Sequence, residues 1–219
     1  MNDINIRGVL LDLDGTVIKS DPGIINGLEY AAKKMGYPIP PREELFKFIG
    51  PPFAVTLKGQ LGVSKEDLEE FINTYRDYYK KTGIYEISLY KGVFEVLTYL
   101  KRNNIPTFVA TAKPEYMAEI IIEYLELNEY FAGIYGMLDD KAHHKEDVIN
   151  RALKEHLNSD PTGCIMVGDT AFDMSAAKNL GLIAWGAVWG YGKTCELTQS
   201  GAMRLLENPI NIMSSIEKL

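Results

Sequence analysis

The chain has 219 residues, 46% of them hydrophobic and 24% charged, and carries a formal charge of −7 with a pI near 5.1. That composition belongs to a globular protein with enough apolar material for a sizeable core, and its acidic balance argues against a nucleic-acid or anionic-membrane surface. No apolar run approaches the roughly 18 residues that cross a bilayer, Asp3 and Asp12 sit too early for a cleaved signal peptide, and Cys164 and Cys195 make no disulfide framework, which fits a reducing cytoplasm.

In chain order, the first predicted element is a strand over residues 8–13, which runs into Asp12-Leu13-Asp14-Gly15-Thr16. Residues at i and i+2 of an extended chain point to the same side, so Asp12 and Asp14 are expected to crowd each other. Two such carboxylates stay ionised cheaply only with a cation between them. Hard oxygen ligands suit Mg²⁺, the usual ion where phosphate is handled. Residues 17–89 then read as consecutive helices over 23–35, 42–48, 53–61 and 65–82. Gly62 stops the third, and Ser64 is expected as the N-cap of the last, with Asp67 in the capping-box position. Beyond them, strand patterns over 107–111, 133–136, 164–167 and 184–189 alternate with amphipathic helices over 93–101, 116–124, 146–157 and 174–180. Such alternation predicts an α/β fold, a Rossmann-like doubly wound parallel sheet covered on both faces, with ligands at the carboxyl ends of its strands. The core is expected to comprise residues 1–16 and 90–219, interrupted by a helical insert over 17–89.

Three later pieces carry further chemistry. Thr111 ends an apolar strand, where a hydroxyl and free backbone N–H groups make an anion cradle or merely a helix cap. Lys145 opens a helix whose apolar face is Val148, Ile149, Ala152 and Leu153; it is either a solvated lysine or one held near bound phosphate, a role for which Lys141 competes. His143 and His144 are adjacent rather than at i, i+4 spacing and read as solvated loop, not a zinc site. Gly168-Asp169 closes a buried strand, and Asp173 follows four residues on. A helix N-cap accounts for one aspartate, but four carboxylates in one crevice call for a metal.

Asp12-Leu13-Asp14-Gly15-Thr16, Thr111, Lys145 and Gly168-Asp169 with Asp173 resemble, in order, the motifs of the haloacid dehalogenase superfamily, in its phosphoglycolate-phosphatase-like branch. The insert is similar to that family's small helical cap. Phe48-Ile49-Gly50-Pro51-Pro52 and Trp189-Gly190-Tyr191-Gly192 also resemble segments of this branch, with a helix-breaking turn and an exposed aromatic loop as their plain alternatives. The resemblance implies that Asp12 attacks a phosphomonoester and becomes an aspartyl phosphate, while Asp14 protonates the leaving oxygen and then activates water. It implies Mg²⁺ held by the Asp12 carboxylate, the Asp14 backbone carbonyl and Asp169, with Asp173 orienting a water on the ion. Lys145, Thr111 and the Ala112 N–H are implied to stabilise the phosphoryl oxygens, with Gly15 and Thr16 also on the substrate. The chain departs from the pattern at Glu146, where many relatives have proline, at Ala112, where asparagine is frequent, and at Lys19, where an acidic residue is common.

Within the resemblance, Asp14 argues against dehalogenation and phosphonate cleavage, whose enzymes generally replace it. A phosphosugar mutase of the same fold is the enzymatic rival, and a phospho-acceptor or non-catalytic binding module the rival of another class. The expected partner is a small phosphorylated metabolite (phosphoglycolate, a nucleoside monophosphate or a sugar phosphate) acted on by a monomer or small homo-oligomer. In the insert, Lys47, Arg76, Lys80 and the loop over 48–53 are equally readable as leaving-group contacts or as solvated and packing residues.

Overall fold

The computed structural model describes residues 5–49, 56–138 and 144–219. Lys141, His143 and the Gly50–Phe53 part of the expected cap loop lie outside them. The elements run, in order, β1 (Gly8–Leu11), β2 (Ile18–Lys19), α1 (Asp21–Met35), α2 (Arg42–Leu45), α3 (Leu68–Lys81), β3 (Ser88–Leu89), α4 (Val93–Arg102), β4 (Thr107–Pro114) and α5 (Glu115–Tyr124). They continue with β5 (Gly133–Met137), α6 (Lys145–His156), β6 (Cys164–Gly168), α7 (Ala171–Leu180), β7 (Ile183–Ala187), α8 (Thr194–Gln199), β8 (Arg204–Leu206) and α9 (Asn211–Ile216). Among the described residues no helix is long and apolar enough to cross a membrane.

The chain divides into two compact units, Met1–Ile18 with Leu89–Leu219, and Lys19–Ser88. The larger is built on a six-stranded sheet in the order β5-β4-β1-β6-β7-β8, every pairing parallel. Fully buried strands such as Gly8–Leu11 and Cys164–Gly168 are apolar throughout because helices cover both faces. On one face Val148, Ile149, Ala152 and Leu153 of α6 and Met174, Ala176 and Ala177 of α7 join Leu10, Phe108, Ala110 and Met166 in a single cluster. The chain starts at β1 in the middle, winds outward through β4 and β5, and returns to wind the other way through β6, β7 and β8. The strand order thus reverses beside β1, and the crevice outside the carboxyl ends of β1, β4 and β6 is where such sheets hold their ligands.

Several boundaries differ from expectation. β4 continues three residues past Thr111 to Pro114, through an irregularity in its pairing with β5, so Thr111 neither ends its strand nor caps α5, whose N-cap is Pro114. β7 ends at Ala187 because the chain turns there, with Gly190 N–H returning towards the Ala187 carbonyl. β8 and the paired two-residue strands β2 and β3, where the chain leaves and rejoins the sheet unit, are too short for a period-two pattern to register.

The smaller unit packs α1 against α3. The start of α1 comes so close to the 3-10 turn after α3 that a Cβ on Gly23 would lie 1.9 Å from the Gly83 carbonyl oxygen, and Tyr30 stacks on Tyr78 with centroids 5.1 Å apart. The expected helix over 42–48 is one α-turn followed by a 3-10 turn, and residues Leu57–Leu61 form a π-helical turn. Ser64 does not cap α3. Its hydroxyl accepts the Asp67 N–H at 3.0 Å across a preceding turn, α3 begins at Leu68, and the Asp67 carboxylate accepts from the Tyr37 hydroxyl at 2.6 Å instead of closing a capping box. Lys47 is exposed and faces Glu44 at 3.5 Å.

Candidate active site

Asp12 lies one residue beyond β1, its N–H still donating to the Val167 carbonyl at 2.9 Å, so the backbone under it is held by the neighbouring strand β6. Immediately after it the chain makes a tight turn. Val17 and Ile18 N–H groups return to the Leu13 carbonyl at 3.0 and 2.9 Å, and Gly15 adopts φ +82°, a left-handed conformation that glycine takes without steric cost. Lys145 is the first residue of α6. An ammonium there opposes the helix dipole, and it is buried nonetheless, because its Nζ lies 2.8 Å from Asp12 Oδ1 and 2.7 Å from Asp173 Oδ1.

Asp169 and Asp173 follow β6. Asp173 is the third residue of α7 and serves that helix as well as the site. Its Oδ2 accepts from the Thr170 hydroxyl at 2.7 Å and from the Thr170 N–H at 3.1 Å, a reciprocal capping box in which Thr170, not Asp169, is the N-cap. Asp169 accepts from the Tyr191 N–H at 2.7 Å and from the Thr16 hydroxyl at 3.3 Å. Trp189-Gly190-Tyr191-Gly192 is therefore no free aromatic loop: it wraps the Asp169 carboxylate, and the Trp189 indole N–H donates to the Thr16 carbonyl at 3.0 Å. No room is left for side chains on either side of it, since a Cβ on Gly15 or on Gly190 would lie 2.2 Å from an Asp169 atom. Gly15→Ala must both strain φ and displace Asp169, and its expected cost of about 1–3 kcal/mol should lower the melting temperature by roughly 2–12 °C, read by calorimetry against the wild type.

Among the described residues, one carboxylate oxygen each from Asp12, Asp169 and Asp173 lies within 4.8 Å of the others, all three residues being buried. Burial, reinforced by Asp173, raises the Asp12 carboxyl to about 7 against the pull of Lys145. Burial with Asp12 and Asp173 likewise holds Asp169 well above the carboxylate range. Burial alone would push the Lys145 ammonium down, but Asp12 and Asp173 outweigh it and hold the group above the ordinary lysine value.

Asp14 stands apart from these three. Its carboxylate is bound by Lys113 Nζ at 2.9 and 3.1 Å, so the expected crowding of Asp12 and Asp14 is resolved by giving each its own lysine. Lys113 is the residue the sequence reading passed over. It sits within the run that drew attention to Thr111, and its signal was its place two residues beyond a strand-end hydroxyl, beside a strand that ends in two aspartates. Thr111 is buried and its hydroxyl accepts the Lys113 N–H at 3.2 Å, while Ala112 is exposed next to it. His144 is exposed at the start of α6 and donates its N–H to Asp147 at 3.1 Å.

With all four aspartates ionised, two ammonium groups leave two negative charges uncompensated. The three buried carboxylates of Asp12, Asp169 and Asp173, with oxygens close enough to share one ion, fit one hard divalent cation.

Over residues 9–187 the chain matches the haloacid dehalogenase-like hydrolase family. It is 32% identical over 201 residues to a 5'-nucleotidase of Pseudomonas aeruginosa, covering 90% of each chain. It is 30% identical over 190 residues to a phosphoglycolate phosphatase of Aquifex aeolicus, covering 86% of this chain and 87% of that one. A haloacid dehalogenase-like family hydrolase of Streptococcus pneumoniae superposes with a TM-score of 0.89 at 33% identity, covering 96% of this chain and 98% of the other. Matched across most of its length in sequence and backbone, and with its buried carboxylates gathered where the sheet reverses its winding, the chain belongs to the haloacid dehalogenase-like hydrolase family.

Proposed function

We propose that the protein is a Mg²⁺-dependent phosphomonoesterase of the cytoplasm that acts on a small phosphorylated metabolite through an aspartyl phosphate at Asp12. The observation that carries this reading is the buried Asp12–Lys145–Asp173 chain, with distances of 2.8 and 2.7 Å, beside Asp169. A lone nucleophilic carboxylate needs no such company. A carboxylate that must receive a phosphoryl dianion needs a fixed ammonium and a cation to offset the charge that gathers there.

In this reading Asp12 attacks phosphorus in line while Lys145, bound to Asp12 Oδ1, holds the nucleophile and offsets the charge of the phosphoryl oxygens. Thr111 and the Ala112 N–H receive those oxygens from the adjacent strand, and Gly15 and Thr16 shape the turn against which they rest. Asp14 gives a proton to the leaving oxygen and then takes one from water. The carboxylates of Asp12 and Asp169 and the carbonyl of Asp14, with Asp173 beside them, would hold Mg²⁺, which would supply charge neutralisation at the phosphoryl group. Phosphoglycolate and nucleoside monophosphates lead as substrates, since a phosphoglycolate phosphatase and a 5'-nucleotidase are among the relatives. The helical unit Lys19–Ser88 is assigned the role of cap, the part of the molecule that selects the leaving group.

A phosphate-release screen over a panel of phosphomonoesters with Mg²⁺, including hexose monophosphates, tests the assignment. Release of inorganic phosphate from one of the small esters is the expected result, with kcat/KM well above that for the rest. Interconversion of hexose 1- and 6-phosphates without phosphate release would overturn it in favour of a mutase.

A further inference from the structure

The two aspartates that follow β1 are tied to ammonium groups from different elements. Asp12 is bound by Lys145 of α6, and Asp14 by Lys113 of β4, whose side chain is only 7% exposed. We propose that Lys113 is a positioning residue for Asp14. Resting on the phosphatase reading above, this assigns Lys113 the task of fixing the Asp14 carboxylate apart from the Asp12–Asp169–Asp173 cluster, where it is free to serve the water-consuming half of the reaction.

The placement follows from the sheet. β1 and β4 are adjacent and parallel with Leu11 opposite Val109, so Asp14, three residues on, and Lys113, four residues on, emerge side by side from neighbouring strand ends. Both carboxylate oxygens meet the same Nζ, at 2.9 and 3.1 Å, which fixes the carboxylate plane as well as its position. The lysine's own backbone is held by the Thr111 hydroxyl. Without the ammonium, a half-buried Asp14 would keep its freedom of rotation and lose the ion pair that holds both of its carboxylate oxygens, beside three buried acids. Misplacement by about 1 Å is enough to cost on the order of 100-fold in rate.

The step concerned is hydrolysis of the phosphoenzyme. Water's oxygen bonds to phosphorus as the bond between phosphorus and the Asp12 oxygen breaks. Asp14 takes the water proton, and inorganic phosphate leaves with the Asp12 carboxylate restored. The experiment follows decay of that phosphoenzyme. p-Nitrophenolate departs without a proton, so p-nitrophenyl phosphate loads Asp12 even where Asp14 is replaced. Decay is then timed after substrate removal in the wild type, Asp14→Asn, Lys113→Met, Lys113→Arg and the Asp14→Asn, Lys113→Met double variant.

Asp14→Asn should slow decay by about 100-fold and Lys113→Met by about 10-fold or more, with Lys113→Arg within about threefold of wild type. The double variant should decay no more slowly than Asp14→Asn, because the lysine acts through the aspartate. Wild-type decay in Lys113→Met, or a double variant slower than Asp14→Asn by the full Lys113→Met factor, overturns the proposal and leaves the phosphatase reading standing. Hydrolysis by the wild type with no phosphate ever carried on Asp12 overturns both. If Lys113→Met does not fold, Lys113→Gln, which keeps a hydrogen-bond donor without the charge, supplies the same comparison and is held to the same outcomes.

Discussion

Asp12→Asn is expected to lower kcat/KM on the best phosphomonoester by on the order of 10⁴-fold or more, about 5.5 kcal/mol of transition-state stabilisation, without unfolding the protein. The amide is isosteric with the carboxylate but cannot attack phosphorus. The fold has reason to tolerate it: Lys145 keeps Asp173 at 2.7 Å, and the repulsion that Asp173 exerts on Asp12 disappears with the charge. Steady-state rates across the ester panel, with circular dichroism and a melting curve for the variant, measure this. Near-normal turnover in Asp12→Asn would remove the covalent mechanism.

Chelation is the second large effect. Exhaustive treatment with a chelator should abolish phosphate release, and Mg²⁺ alone should restore it. Because the ion binds the folded state only, concentrations near 100 times its dissociation constant add about 2.7 kcal/mol, a rise of roughly 5–10 °C in melting temperature for a chain of this size. The pH dependence has a definite sign. With the Asp12 carboxyl raised to about 7 in the folded protein and near 3.8 when unfolded, the metal-free native state binds the extra proton. The contribution of this group to stability is therefore present in acid and is lost as pH rises through about 7. The cation takes the ionised form, so the Mg²⁺-induced rise should be larger at pH 8 than at pH 6. Equal rises at both, or full activity after chelation, contradict the cation site.

Most of the sheet could be read in the sequence because its strands are buried on both faces and so appear as unbroken apolar runs between helical patterns. β1 and β6 show this best, every one of their residues being buried. Strand ends were harder to read. Nothing local in Thr107–Pro114 tells that the chain stays extended beyond Thr111, since that depends on pairing with β5 across an irregularity. β8 is three residues long and owes its existence to β7.

The acidic motifs declared themselves through spacing, whereas their partners did not. That Lys113 binds the Asp14 carboxylate, and that Tyr191 and Thr16 hold Asp169, follow from neighbours in space 99, 22 and 153 residues apart in sequence. No local pattern carries such information. Ser64 and Asp67 illustrate the reverse error. The local signature of a capping box is present, but the Tyr37 hydroxyl takes the Asp67 carboxylate and α3 starts at Leu68, three residues later than expected.

The central claim is that phosphate passes through a covalent bond to Asp12. The most direct measurement is a single turnover in ¹⁸O-labelled water, quenched at intervals and analysed by mass spectrometry of both the released phosphate and the peptide that contains Asp12. The account predicts a transient, alkali-labile phosphate on Asp12 at early times, label in the inorganic phosphate, and none in the Asp12 carboxylate once the phosphate has gone. Labelled phosphate released with no phosphorylated peptide at any time would contradict it.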